Sequence, residues 1–364
     1  MSHATRKNIG VIGLGIIGRG VAGNLRRKGF PVYVWNRSPR SVPNFVGSPG
    51  EVAELCNYIQ IFVSDDEALL QTAEELTKLT PRHFVLAHST VAPDSMRAAA
   101  EIVERRKARF VEAPFTGSKA AAEKGELVYY VSGNDAALRE ARPILEASSK
   151  EIIEIGSTIG QASAIKIATN MITAASVQAT AEALALVQAL GLPLEKFIEA
   201  MRSNASHSAT LAMKLPKMLN RDFEPHFSVK HMLKDMQIAT QIGLSNYLDL
   251  GVTAAARDQL LEQMHWGHGD DDYSVVARKY LHEPAPVVGE ELQLGDEDEQ
   301  TDAGELVAGS AELKTQTQQN TGAELASGSL VASGAASSAA PNETTPLRRS
   351  FLKQLLSRIS SKEE

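Results

Sequence analysis

The chain has 364 residues, 43 % of them hydrophobic and 22 % charged, the balance of an ordinary globular protein with room for about two domains. No uninterrupted apolar run approaches the roughly 18 residues of a membrane helix, and Cys56, the single cysteine, rules out an intrachain disulfide, so a cytoplasmic protein is expected. The net charge of −7 belongs to residues 284–364, where 13 acids face 6 bases; residues 1–283 carry 31 of each sign with no basic stripe, which argues against nucleic-acid binding.

The first residues lead into a patterned strand, with no signal-peptide apolar region. Residues 8–13 read as a short buried strand, Gly13, Gly15 and Gly18 follow at the spacing G-x-G-x-x-G, and an amphipathic helix runs from Ile17 to the stop at Gly29. Residues 30–35 form a second strand, completing a β-α-β unit of about thirty residues. Apolar runs at 58–63 and 83–87 alternate with helical stretches at 66–79 and 92–106, and further strands are expected at 109–112, 127–131 and 151–155. This alternation predicts a doubly wound parallel sheet, a Rossmann-type domain over residues 1–159 whose ligands lie beyond the carboxyl ends of the strands.

Beyond Gly160 the pattern changes. Residues 161–190 hold no proline or glycine and predict one long helix ended by Gly191. Helices follow at 194–204, 211–219, 229–242 and 250–267, with a last helical segment at 274–281, so residues 160–283 are expected to form an all-α domain. The long helix carries more apolar surface than one small helical domain covers, which predicts a homodimer or homotetramer. Residues 284–345, with eight acids between Glu290 and Glu305 and almost no large apolar groups, predict a disordered linker. In residues 346–364, Leu347, Phe351, Leu352, Leu355, Leu356 and Ile359 recur at helical spacing among Arg348, Arg349, Lys353 and Arg358. That pattern is a short basic amphipathic helix suited to a protein groove or an anionic membrane surface.

The chemistry-bearing residues are local. In the loop of Gly13, Leu14, Gly15, Ile16, Ile17 and Gly18, the glycines permit a tight turn, close approach of a pyrophosphate and helix-on-strand packing, with a helix N-terminus facing the phosphates. The second strand ends in Asn36, Arg37 and Ser38, where an NAD-selective fold places an acid; a guanidinium there suits the 2′-phosphate of NADP ahead of NAD. Lys166 and Asn170 lie one turn apart on the long helix among apolar residues. A lysine so placed can stabilise an oxyanion and donate a proton; residue chemistry alone leaves open a snorkelling lysine with its head in water. His265, His268 and Asp270 to Asp272 read as a polar loop, with no metal required, and Cys56 reads as helix packing.

Four stretches together resemble the β-hydroxyacid dehydrogenases, the family of 3-hydroxyisobutyrate dehydrogenase and the glyoxylate/succinic semialdehyde reductases. They are the fingerprint Ile9 to Gly18 with Trp35-Asn36-Arg37-Ser38, the segment Glu112-Ala113-Pro114-Phe115-Thr116-Gly117-Ser118-Lys119, the helix start from Gly160 to Asn170, and Phe227-Ser228-Val229-Lys230-His231-Met232-Leu233-Lys234-Asp235-Met236. Glu112, Gly117-Ser118-Lys119 and the last stretch are most similar to the glyoxylate-reducing branch. The resemblance implies Lys166 as acid/base, Asn170 as a positioning group, and Thr116, Gly117 and Ser118 as holders of the carboxylate of a small hydroxy acid or aldehyde. It implies Val63, Ser64 and Thr90 along the cofactor, and Lys234 reaching back towards cofactor or substrate. A cofactor-binding scaffold whose tail recruits partners and an imine reductase are the alternative readings; the retained lysine speaks against both.

Overall fold

A computed structural model of the chain describes residues 7–281; the linker and terminal helix expected in residues 284–364 lie outside them. The β-α-β opening is present as β1 (Ile9–Ile12), α1 (Ile16–Arg27) and β2 (Val32–Trp35). Then come α2 (Pro49–Leu55), β3 (Tyr58–Ile61), α3 (Asp66–Glu75), β4 (Phe84–Ala87), α4 (Pro93–Arg105) and β5 (Arg109–Glu112). β6 (Phe115–Thr116), α5 (Lys119–Lys124), β7 (Leu127–Gly133), α6 (Asp135–Glu146) and β8 (Ser149–Gly156) complete the sheet region.

The strands run in the order β2-β1-β3-β4-β5-β7-β6, with β8 on β7. The α/β class holds, but the sheet is mixed. β2, β1, β3, β4 and β5 are mutually parallel, whereas β7 runs antiparallel to both β5 and β6. The reversal has a simple cause: the ten residues between β6 and β7 are fewer than the dozen or so that a parallel crossover needs. Local signals set many ends. Ser48 Oγ accepts from Glu51 N and the Glu51 carboxylate reaches back to Gly47 N, a reciprocal cap with Pro49 at the first helical position. The thiol of Cys56 is buried, but the residue is the extended C-cap of α2 and not part of the helix.

The helical region consists of α7 (Gln161–Ala189), α8 (Leu194–Arg202), α9 (Ala209–Leu219), α10 (Val229–Ser245) and α11 (Gly251–His265). The expected final helix is instead a 3-10 segment, Tyr273–Lys279, opened by Asp272 accepting from Ser274 N. Asp272 and Lys214, both buried, form an ion pair at 2.7 Å. The same carboxylate accepts from the backbone of His226 and Phe227, so it sets the approach to α10. Apolar side chains fill both faces of the sheet and a third cluster inside the helices. No helix among the described residues is long and apolar enough to cross a membrane.

The sheet and α7 are joined through a carboxylate. Glu112, at the end of β5 and fully buried, accepts from Gly160 N through Oε2 and from Ser163 N through Oε1, each at 2.6 Å. Ser132 Oγ donates to Glu112 and accepts from Ala162 N. These contacts satisfy N–H groups that open the first turn of α7 and place a negative charge at its positive end. Glu112→Ala is therefore expected to lower the free energy of unfolding by about 2–4 kcal/mol, the penalty of leaving two buried backbone donors unmet, with the Ser132 hydroxyl losing its acceptor as well. Denaturant unfolding of the two proteins checks this.

Candidate active site

The glycine loop is shaped by what surrounds it. Gly13 has φ +92°, and a Cβ there would fall 2.1 Å from Phe62 O. A Cβ on Gly18 would fall 2.0 Å from Gly13 O, whereas Gly15 faces open space. The loop is thus closed by backbone on two sides and open on the third. α1 begins there with no side-chain cap and no acid in its first turn, which leaves its N–H groups to a ligand. Asn36 Oδ1 accepts from Leu14 N at 2.8 Å and its amide donates to Ser38 O, fastening the loop to the end of β2. These residues fit a dinucleotide, with Ile16 and Ile17 in the helix start and Arg37 exposed beside it.

Two further strand ends converge on this region. Val63 N donates to Ser89 Oγ, and Ser64 Oγ donates to Asp65 Oδ2 at 2.6 Å. Asp65 caps α3 by accepting from Ala68 N. Burial raises its pKa, but the bonds from Ser64 and Ala68 and the charges of Lys234 and Arg37 outweigh burial and hold it below the ordinary carboxylate value. Lys234 Nζ donates to Thr90 O, so α10 is tied to the strand that Thr90 follows.

Lys166 is buried in α7, and its Nζ donates to Asn170 Oδ1 at 2.9 Å. Asn170 Nδ2 donates to Asp235 Oδ2 of α10 at 2.6 Å, and Lys234 Nζ lies 2.9 Å from Asp235 Oδ1. The chain Lys166–Asn170–Asp235–Lys234 is continuous across two helices. Asp235 fixes the amide, so its oxygen faces the lysine. Burial pushes the Lys166 pKa down to about 8, with the Asp235 charge raising it and the Lys234 charge lowering it. A snorkelling lysine is therefore not what the structure holds.

Asp235 was not singled out from sequence, although a charged Lys234-Asp235 pair between Leu233 and Met236 is itself a signal on an otherwise apolar helix face. Among the described residues no hydrogen bond joins Thr116, Gly117 or Ser118 to Lys166 or Asn170. Thr116 is exposed on β6 opposite Val128, Gly117 has φ +141°, and Ser118 Oγ caps α5 by accepting from Ala121 N. His268 is bonded to Asp271, Asp270 to Lys230 and Asp272 to Lys214. Burial pushes the Cys56 thiol up to about 12, against reactivity.

Residues 8–156 match the family model described as the NAD binding domain of 6-phosphogluconate dehydrogenase, and residues 160–280 the one described as NAD-binding of NADP-dependent 3-hydroxyisobutyrate dehydrogenase. Glyoxylate/succinic semialdehyde reductase 1 of Arabidopsis thaliana is 30 % identical over 279 residues, covering 74 % of this chain and 96 % of that protein. The cytokine-like nuclear factor N-PAC of Danio rerio is 29 % identical over 289 residues, and there the chain spans only 63 % of the relative's length. The crystal structure of 3-hydroxyisobutyrate dehydrogenase from Salmonella typhimurium superposes with a TM-score of 0.69 at 22 % identity, over 75 % of this chain and 100 % of that one, a likeness of fold.

The lysine's environment sets a pH dependence. A proton donor must be charged, so a reduction relying on Lys166 slows as pH rises through about 8, and the reverse oxidation speeds up over the same range. Asp235 supports the charged form, so Asp235→Asn is expected to move the alkaline limb of the reductive kcat profile to lower pH and to reduce kcat. Steady-state profiles of the wild type and the variant in both directions check this.

Proposed function

The chain belongs to the β-hydroxyacid dehydrogenase family, NAD(P)-dependent oxidoreductases acting on CH–OH groups, and we propose that it reduces small carboxylate-bearing aldehydes or keto acids of the glyoxylate and succinic semialdehyde class with NADPH. The observation that carries this reading is the buried Lys166–Asn170–Asp235 chain. When bound, the nicotinamide cofactor supplies the hydride. As the carbonyl oxygen gains charge, the Lys166 ammonium stabilises it and hands over its proton, leaving a neutral amine; in the oxidative direction the same amine takes the proton back. Its lowered pKa makes it a better donor than an ordinary lysine while it stays mostly charged near neutrality. Asn170 aims the lysine and Asp235 holds Asn170.

In this proposal residues 1–159 hold the cofactor. Gly13 to Gly18 cradle the pyrophosphate, Arg37 with Asn36 and Ser38 meets the 2′-phosphate, and Val63, Ser64 and Thr90 line the nicotinamide side. Thr116, Gly117 and Ser118 hold the substrate carboxylate. Residues 160–283 supply the acid, and Lys234 bridges to the cofactor side through its contact with Thr90 O. The preference for NADP over NAD rests on Arg37 standing where an acid would repel a 2′-phosphate.

We further propose a homodimer or homotetramer. α7 leaves Ile172 70 % and Leu186 62 % exposed, apolar surface that a second copy would cover. Light scattering at micromolar concentration is expected to give at least twice the chain mass; a monomer would refute this.

The function is tested by following NADPH absorbance with glyoxylate, succinic semialdehyde, 3-hydroxyisobutyrate and tartronate semialdehyde. Lys166→Ala is expected to lower turnover by about 100-fold or more while NADPH binding is retained. Arg37→Asp is expected to move the preference from NADPH towards NADH. A folded protein that binds NADPH yet turns over none of these compounds would favour the scaffold reading, and turnover of cyclic imines alone the imine reductase reading.

A further inference from the structure

His88 is a fully buried polar side chain that the scheme above does not use. It directly follows β4, and its Nδ1 lies 2.7 Å from the Ala113 carbonyl oxygen. A carbonyl can only accept, so Nδ1 carries the proton. Burial pushes the imidazole pKa down to about 3, against the pull of the Ala113 bond, and the ring is neutral at ordinary pH. It stacks on Phe62 with centroids 4.4 Å apart and planes 10° apart, and meets Tyr129 at 4.9 Å.

Two of its neighbours, Phe62 and Ala113, belong to different parts of the proposed site. Phe62 underlies the glycine loop: its carbonyl closes off Gly13 and its Cβ closes off Gly18. Its ring also lies 6.2 Å from that of Phe115. Ala113 separates Glu112, which holds the start of α7, from the stretch that runs through Phe115 to Ser118. Ala113 N already bonds to Ala87 O, and the imidazole supplies a side-chain donor for the carbonyl of the same residue. A rigid, neutral, one-tautomer ring therefore spans the floor of the glycine loop and the root of the segment assigned to the substrate carboxylate.

We propose that His88 is a positioning residue whose Nδ1–H, donated to Ala113 O, locks the root of residues 113–118 beside the glycine loop, so that substrate carboxylate and cofactor are held in one register. The substrate role of residues 116–118 rests on the function proposed above; the lock itself does not. Two variants separate its parts. His88→Phe keeps a stacked ring and removes the donor, and His88→Asn keeps an amide N–H near the Nδ1 position and removes the ring.

In the full-length protein without ligands, His88→Phe is expected to speed amide hydrogen exchange in residues 115–118 by about 10-fold or more while residues 9–18 exchange as in the wild type. NADPH affinity, read by fluorescence titration, is expected to stay within about twofold while KM for the aldehyde rises by about 10-fold, since a small misplacement suffices for such a loss. His88→Asn is expected to restore both exchange and KM. A purely structural role would lower the melting temperature without this split.

Unchanged exchange in His88→Phe, a parallel loss of NADPH affinity, or failure of His88→Asn to restore would each overturn the proposal. If His88→Phe does not fold, His88→Asn decides, with wild-type exchange supporting the lock and loosened residues 115–118 overturning it. If the wild type reduces none of the aldehydes, the functional reading fails while the exchange result still decides the lock.

Discussion

The interaction on which the rest of the structure depends is the burial of Glu112 against the start of α7. A helix of 29 residues begins at Gly160, whose left-handed backbone offers no side-chain cap of its own. Gln161 Oε1 is occupied with Thr158 N in the preceding turn. The first N–H groups of α7, buried at Gly160, Ala162 and Ser163, therefore need an acceptor from elsewhere. Glu112 supplies it with both carboxylate oxygens, and the helix returns the favourable field that lets a carboxylate sit fully buried. Because an α-helix is rigid over two turns, fixing Gly160 and Ser163 also fixes Lys166 and Asn170. The end of β5 thus determines where the proposed proton donor stands relative to the strands that carry the glycine loop.

The second constraint is the charge of that donor. Lowering a lysine from 10.5 to about 8 corresponds to about 3 kcal/mol of disfavoured charge. This penalty is fully present below pH 8 and is relieved as pH rises towards the ordinary lysine value, so the site costs stability at neutral pH. Asp235 limits the penalty but acts through Asn170 and not by direct contact, since its nearer oxygen meets the amide and its other oxygen Lys234. A direct ion pair would have kept Lys166 strongly charged and a poor proton donor. An amide placed between lysine and carboxylate keeps the geometry of a pair with a weaker electrostatic hold.

Legibility from sequence follows the distance over which each feature is decided. The glycine loop, the end of β2 and the extent of α7 are set by near neighbours, and residues 8–38 and 161–190 form the elements their local patterns predict. Lys166 was conspicuous because its own turn is apolar. Asp235 was passed over because its meaning lies in Asn170, 65 residues earlier. In the sequence Glu112 stands out only as a residue shared with the glyoxylate-reducing branch, because a helix cap 48 residues away leaves no periodic trace. The antiparallel β7 has the same apolar alternation as a parallel strand, and only the short link from β6 reverses it. The 3-10 segment after Asp272 shares its hydrophobic spacing with an α-helix, and the Asp272 cap with its Lys214 pair sets the tighter turn.

The neutrality of residues 1–283 gives the site's own polarity its significance. Around the proposed cofactor and substrate positions stand Arg37, Lys166 and Lys234, with Asp65 and Asp235 as the acids that interact with them. At neutral pH this set carries one excess positive charge in a region sheltered from solvent screening at Lys166 and Asp235. Both proposed ligands, a phosphorylated dinucleotide and a carboxylate-bearing aldehyde, are anions, and the excess has the sign that favours them. Two of the three cations are also held in place: Lys234 by Thr90 O and Asp235, and Lys166 by Asn170. Charges so restrained lose little freedom when an anion arrives, so the field acts on the ligand and is not consumed in reorganising the protein.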